Sequence, residues 1–238
     1  ASFKSLLYQS LQSTSTNNAG ENKPVAAEVG LGSRVAAITS TFTQGNLTHV
    51  ENPFSVALEG DGFFQIRTES GELQYTRDGS FEISPVANGN MLCTSDGNPV
   101  LDAYGNQIIL PSNRVATDLV VNQDGTLAFP DGTGNPAVIT DANGRPVKFG
   151  IYQFNNPAGL SKEGSNNYSV TVASGAAVAE NGNAAVKQTK THQYYTEASN
   201  VDVANEMVNL IVAQRAYEMN SKAIQASDEM MQQANALR

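Results

Sequence analysis

Two histidines, His49 and His192, stand in the 238 residues, and neither has a second ligand type at a metal-binding spacing. No Gly-x-Ser-x-Gly elbow is present to hold a nucleophilic serine. The single cysteine, Cys93, lies in the strand-like run Met91-Leu-Cys-Thr94. No histidine or electropositive setting adjoins it, which predicts a buried, inert thiol. One cysteine cannot build an internal disulfide framework. Asp-Gly and Asn-Gly pairs recur at Asp78, Asn88, Asp96, Asp124, Asp131 and Asn143. Carboxylates beside glycines could hold calcium, but no stretch has the alternating ligands and closing glutamate of an EF-hand loop. Hairpin turns account for the pairs instead. Gly132-x-Gly134-x-x-Ala137 has the outline of a dinucleotide loop. Pro136 sits inside it and no helical pattern follows, so it is set aside. Asn46-Leu-Thr48 and Asn167-Tyr-Ser169 fit the glycosylation sequon, a match short enough to arise by chance. A carboxylate pair for glycoside hydrolysis is defined in space rather than in sequence, which leaves a cell-wall hydrolase as a distant alternative. The residues therefore assign no catalytic, cofactor-binding or metal site, and no cofactor is expected.

Composition narrows the classes further. Net charge is -9 with no basic run, which argues against nucleic acid and against anionic membrane surfaces. No apolar stretch is long enough to span a bilayer, and no signal peptide pattern opens the chain. Charged residues make up only 16%, while Asn, Gln, Ser, Thr and Gly are abundant, a mix that suits an extracellular or assembled structural protein as well as a soluble one. The chain opens on Ala1 rather than a start methionine, as a piece of a longer protein would.

The middle of the chain reads as β. From Phe54 onward, short runs such as Ser55-Val-Ala-Leu58, Phe63-Phe-Gln-Ile-Arg67 and Leu119-Val-Val121 alternate with glycine turns. That spacing predicts antiparallel hairpins over roughly 53–196. Before it, Ser2–Gln12 reads as a short amphipathic helix and Ser13–Pro24 as a polar linker. Val25–Val50 reads as extended, with a turn at Gln44-Gly45-Asn46.

The last stretch, Ser199–Arg238, reads as a long helix. In steps of seven, one position recurs as Val203, Leu210, Tyr217, Ile224 and Met231, every one apolar, with Met207 beside them. This is a narrow seam of coiled-coil period, uninterrupted by Gly or Pro. Ser199 or Asp202 can cap the start, Asp202 and Glu206 suit the positive end of the helix dipole, and Glu218 and Lys222 form an i,i+4 pair. About 36 helical residues would reach roughly 54 Å. No second segment has a helical pattern of that length, so the seam must find its partner in another molecule or in a missing segment. The chain is thus expected to be mainly β with a long C-terminal α-helix. Residues 1–52 form a helix remnant and connector, 53–196 a β-rich domain, and 197–238 a coiled-coil helix whose interface is Val203, Met207, Leu210, Tyr217, Ile224 and Met231.

Four runs resemble the axial proteins of the bacterial flagellum, the rod and hook family, and among them most closely the distal rod members. They are Leu6-Leu-Tyr-Gln9; Gln44-Gly-Asn-Leu47 with Ser55-Val-Ala-Leu-Glu-Gly-Asp-Gly-Phe-Phe-Gln-Ile66; Tyr75-Thr-Arg-Asp-Gly-Ser-Phe81; and Ser199-Asn-Val-Asp202 through Gln214-Arg-Ala-Tyr-Glu-Met-Asn-Ser-Lys-Ala223. The middle, about 88–185, is not diagnostic, and the long Asn-rich N-terminal helix of the family has no counterpart here. The resemblance implies a non-enzymatic structural subunit, exported unfolded through the flagellar type III apparatus without a cleaved signal peptide. It implies polymerisation with copies of itself into a helical tube around the export channel. Rod, hook and ring proteins are its implied partners, in the basal body, with neither nucleic acid nor membrane insertion. A hook or proximal rod subunit shares the terminal motifs and is the near alternative. A secreted β-rich adhesin with a coiled-coil stalk is the alternative from another class.

Overall fold

The computed structural model describes residues 2–5, 8–12, 27–30, 33–131, 136–141, 143–183 and 185–236. The architecture is mainly β, in antiparallel sheets, and among the described residues the one α-helix is at the C-terminal end.

The N-terminal end departs from the sequence reading. Ser2–Ser5 and Tyr8–Gln12 are strands, not a helix; they pair antiparallel with Ser33–Ala37 and Ala27–Gly30. Three turns of helix rich in serine are marginal in water. A partner strand instead satisfies the backbone donors and acceptors without needing a buried face. The expected linker at 13–24 lies outside the described residues.

The β body follows the predicted rhythm. A six-stranded sheet runs in the order Ser161–Gly164, Asn167–Ser169, Leu73–Thr76, Phe63–Arg67, Ile151–Gln153 and Val178–Ala179. Two further sheets have three strands each. One is built from Glu82–Val86, Gly89–Cys93 and Ile109–Leu110, the other from Val120–Val121, Leu127–Pro130 and Pro136–Val138. Several of the expected turns are where the glycines are: Gly97, Gly125 and Gly144 have φ of +82°, +82° and +74°, the left-handed conformation that glycine adopts freely. The strand Phe63–Arg67 is buried on both faces. Phe64 and Ile66 enter the larger core with Phe81, Leu92, Leu127 and Phe149, while Phe63 enters a smaller one with Tyr75, Phe154 and Leu160. Ring centroids at 5.0 Å for Phe64–Phe81 and 5.3 Å for Phe64–Phe149, both edge to face, fix the centre of the larger cluster.

The segments that lead into and out of this body run side by side. Lys190–Gln193 pairs with Val56–Glu59, and Tyr195–Glu197 pairs with Leu47–His49. Between them Tyr194 takes φ +65° as the chain passes from one partner strand to the other. The predicted turn at Gln44-Gly45-Asn46 is not a turn. The chain there runs on without turn geometry, and Gly45 is buried. A Cβ at Gly45 would collide with the carbonyl oxygen of Ala198, so this glycine is demanded by close passage of the segments that enter and leave the body.

The helix spans Val203–Ala236, 34 residues, or about 51 Å at 1.5 Å per residue. Of the two expected caps, Asp202 takes the role. Its Oδ1 accepts the Ala204 N–H at 3.0 Å, and its carbonyl accepts the Glu206 N–H at 3.0 Å as the first helical bond.

Candidate assembly interface

No residue of the helix is buried. The expected seam is intact and bare: Val203, Met207, Leu210, Ile224 and Met231 are exposed, and Tyr217 is 77% exposed. In a straight α-helix seven residues fall about 20° short of two turns, so the stripe winds slowly around the axis, as the seam of a left-handed supercoil does.

The seven-residue reading missed a second stripe. Val208, Val212, Met219 and Met230 are also exposed, each separated from the next by 4, 7 and 11 residues, close to whole numbers of turns. Val208 lies about 140° around the helix from Val203 and Met219 about 160° from Tyr217, so the second stripe faces away from the first over most of the helix and comes within about 100° of it at Met230 and Met231. Between them, on one side only, lie Arg215, Glu218 and Lys222, the three charges of the stretch 207–227. The second stripe's signal in the sequence is the spacing i, i+4, i+11, which does not fit the seven-residue repeat of the first stripe.

The segment that leads into the helix is tied to the body by side chains on both sides of the joint. Arg77 Nε donates to Glu197 Oε2 at 3.0 Å. Its Nη2 lies 2.9 Å from the same oxygen, off the hydrogen-bond axis, so that contact is Coulombic. Its Nη1 donates to the carbonyls of Gly60 at 2.9 Å and Gly62 at 3.1 Å. The guanidinium also stands over the Phe63 ring, 5.6 Å from its centroid. Glu197 Oε1 accepts the Gly45 N–H at 2.9 Å. Gln44 clasps the body through Leu58 O at 2.6 Å and Gly60 N–H at 2.8 Å. Beyond the strand, the Asn200 amide reaches Thr43 Oγ1 at 2.8 Å and Thr43 O at 3.0 Å. A polar cleft of about 540 Å³ opens beside this joint, lined by Thr41, Arg77, Asp78, Asn166, Tyr168 and Glu197 among others. In the sequence Arg77 stands only within a hairpin motif, because its partner Glu197 lies 120 positions away.

The chemical leads resolve into structure. Asp78 Oδ1 accepts the N–H of Ser80 at 3.0 Å, and Asp124 Oδ1 accepts that of Thr126 at 3.1 Å. Burial of Asp124 pushes its pKa up, but the Thr126 hydrogen bonds and Lys148 outweigh that and leave it lowered. These carboxylates are committed to turns. Among the described residues no group of three or more His, Cys, Asp or Glu is placed to hold a metal ion. His49 stacks on Tyr194, and His192 Nε2 lies 2.7 Å from Glu59 Oε2. Cys93 is buried, with its Sγ 3.5 Å from Glu82 O, and burial followed by the Glu82 charge pushes the thiol pKa up. Of the two sequons, Asn167 is buried in its strand. Ala137 of the glycine-rich run sits in the strand Pro136–Val138, where a dinucleotide loop would start a helix. Among the described residues no helix is long and apolar enough to cross a membrane.

Two family models match the chain. "Flagellar basal body rod FlgEFG protein C-terminal" covers residues 192–237, and "Flagellar hook protein FlgE/F/G D1 domain" covers 57–129. The chain is 36% identical over 245 residues to the flagellar basal-body rod protein FlgG of Buchnera aphidicola subsp. Acyrthosiphon pisum, across 100% of this chain and 85% of the relative. It is 38% identical over 244 residues to the FlgG of Borreliella burgdorferi, with the same coverage. The chain belongs to the flagellar basal-body rod protein family. Arg77 falls in one matched segment and Glu197 in the other, so the ion pair joins the two family-defining parts of the fold. A third relative, the flagellar hook-basal body complex protein FlhP of Bacillus subtilis, is 32% identical over 243 residues, across 99% of this chain and 85% of its own length. The family is a structural one, of the flagellar basal body, and the chain is a structural subunit of the flagellar rod.

Proposed function

We infer that this subunit belongs to the distal rod, where it polymerises with copies of itself into a helical tube. The terminal helices form the inner wall around the export channel, the β body forms the outer layer, and the tube carries motor torque to the hook. The seam Val203, Met207, Leu210, Tyr217, Ile224 and Met231 packs against neighbouring helices. One observation carries this reading: a 34-residue helix with no buried residue and apolar side chains on two opposite sides. Full burial of a Val, Leu, Ile or Met side chain is worth roughly 1.5–3 kcal/mol. Association costs about 4–15 kcal/mol, a range that full burial of the six seam side chains covers, and neighbours on the second stripe add to that margin.

The division into assembly segments at 1–52 and 197–238 around a β unit at 53–196 goes with this role. Other rod and hook subunits, the surrounding rings and the export apparatus are the partners, in the rod within the cell envelope, reached without a cleaved signal peptide. The subunit performs no catalysis and needs no cofactor. The similarity to a Bacillus hook-basal body complex protein supports a second reading, a neighbouring position in the same axial structure.

Electron microscopy of the polymer formed by the full-length protein tests the proposal. Straight tubes built with the helices innermost are expected. Monomers that bind glycan and never polymerise would overturn it in favour of an adhesin.

A further inference from the structure

The helix can present its two stripes to fixed neighbours only if it leaves the β body in a fixed direction. No part of the helix is buried against the body, so packing does not set that direction. Residues 198–202 are all that separate the strand Tyr195–Glu197 from the helix. Whatever aims the helix must therefore act at this joint.

Glu197 ends its strand with its carboxylate held from both sides, by the Gly45 N–H on one oxygen and by Arg77 on the other. Arg77 is itself held by two backbone carbonyls of the loop before Phe63 and by the ring of Phe63, which is fully buried. A guanidinium is planar and donates in fixed directions, so three acceptors determine its orientation as well as its place. The side chains of the pair are 14% and 13% exposed, which shields the contact from solvent and salt. A continuous chain of fixed contacts thus runs from the aromatic core through Arg77 and Glu197 to the segment that launches the helix.

We propose that Arg77 and Glu197 are positioning residues that lock the helix's direction of departure, so that the β body and the helix move as one rigid lever. This rests on the reading of the chain as an assembling rod subunit, because only a subunit that passes force between helix and body needs the angle held. A pair that served the stability of the body alone would leave the helix direction unchanged when weakened.

The test measures direction in the purified chain. Spin labels at Val172→Cys, on the body surface, and Val208→Cys, in the second turn of the helix, are introduced with Cys93→Ala, and their separation is read by double electron–electron resonance. The parent should give one narrow distance. Arg77→Gln should widen the distribution at least twofold while the body keeps its cooperative melt. Arg77→Lys, which retains the charge toward Glu197, should fall between the two. Should Arg77→Gln unfold the body, Glu197→Gln is the deciding variant, since its amide oxygen still accepts the Gly45 N–H. A parent distribution as wide as the variant's, or unchanged width in the deciding variant, overturns the proposal. The measurement needs no polymer, so normal rods from a Leu210→Asp protein would sink the assembly reading without touching this result.

Discussion

His192 Nε2 lies 2.7 Å from Glu59 Oε2, across the paired strands Lys190–Gln193 and Val56–Glu59. The hydrogen bond from His192 is the main cause that lowers the Glu59 pKa below its ordinary value. A carboxyl whose folded pKa is depressed stabilises the fold above its unfolded pKa, and that contribution fades as pH falls through the lower folded value. Removing the partner with His192→Gln should therefore lower the melting temperature slightly at pH 6. Below the folded pKa of Glu59 the parent and variant curves should converge. Equal gaps at pH 6 and in strong acid would show that Glu59 is not the partner that matters.

Cys93 is buried, and its raised pKa keeps it a thiol. A disulfide reagent at pH 8 should leave the native protein almost unmodified and react with one thiol in denaturant. Rapid stoichiometric modification of the native protein would mean that the strand Gly89–Cys93 opens easily.

The larger core is centred on Phe64, which meets Phe81 and Phe149 edge to face. Phe64→Ala should cost about 3–5 kcal/mol in denaturant unfolding. Val172→Ser, at a fully exposed position, should stay within about 0.5 kcal/mol of the parent.

Gly45 separates two explanations for a glycine. Had it formed the turn suggested by Gln44-Gly45-Asn46, asparagine would serve nearly as well, because it tolerates positive φ. In the structure the backbone of Ala198 passes where a Cβ would sit. Gly45→Ala and Gly45→Asn should both destabilise the protein, by about 1–3 kcal/mol or more, and asparagine should give no relief. Rescue by asparagine would restore the turn.

The difference between turn and crossing also marks what the sequence could reveal. Hairpins at Gly97, Gly125 and Gly144 were legible because a turn is local: four residues carry both its signal and its cause. The helix was legible because its period repeats over 34 residues. The Ser2–Gln12 segment misled because its apolar spacing fits a helix, while the strands that claim it begin about fifteen residues later and leave no mark within it. The joint was illegible for the same reason on a larger scale. Arg77 and Glu197 are ordinary charged residues until the fold brings them together. The second stripe is the opposite case, present in the sequence but hidden by a search for one seam.

That second stripe sharpens the test of assembly. Leu210 belongs to the first stripe, Val208 to the second, and Lys222 to the charged flank between them. Aspartate at Leu210 would put an unpaired charge into a helix–helix contact, and such sites reject it or come apart. If only the first stripe is covered in the rod, Val208→Asp should assemble like the parent. If neighbours cover both, Val208→Asp should fail as Leu210→Asp does, while Lys222→Asp assembles nearly normally. The β body depends on neither stripe, since the helix buries nothing against it, so each variant should remain soluble and β-folded by circular dichroism. Expressed full-length in cells lacking the native subunit, the first two should leave no hook or filament and no motility, and the third should swim. Sedimentation of the purified proteins separates failure to polymerise from failure to be exported. Normal rods from Leu210→Asp would show that the seam stays in water and that another surface holds the polymer together.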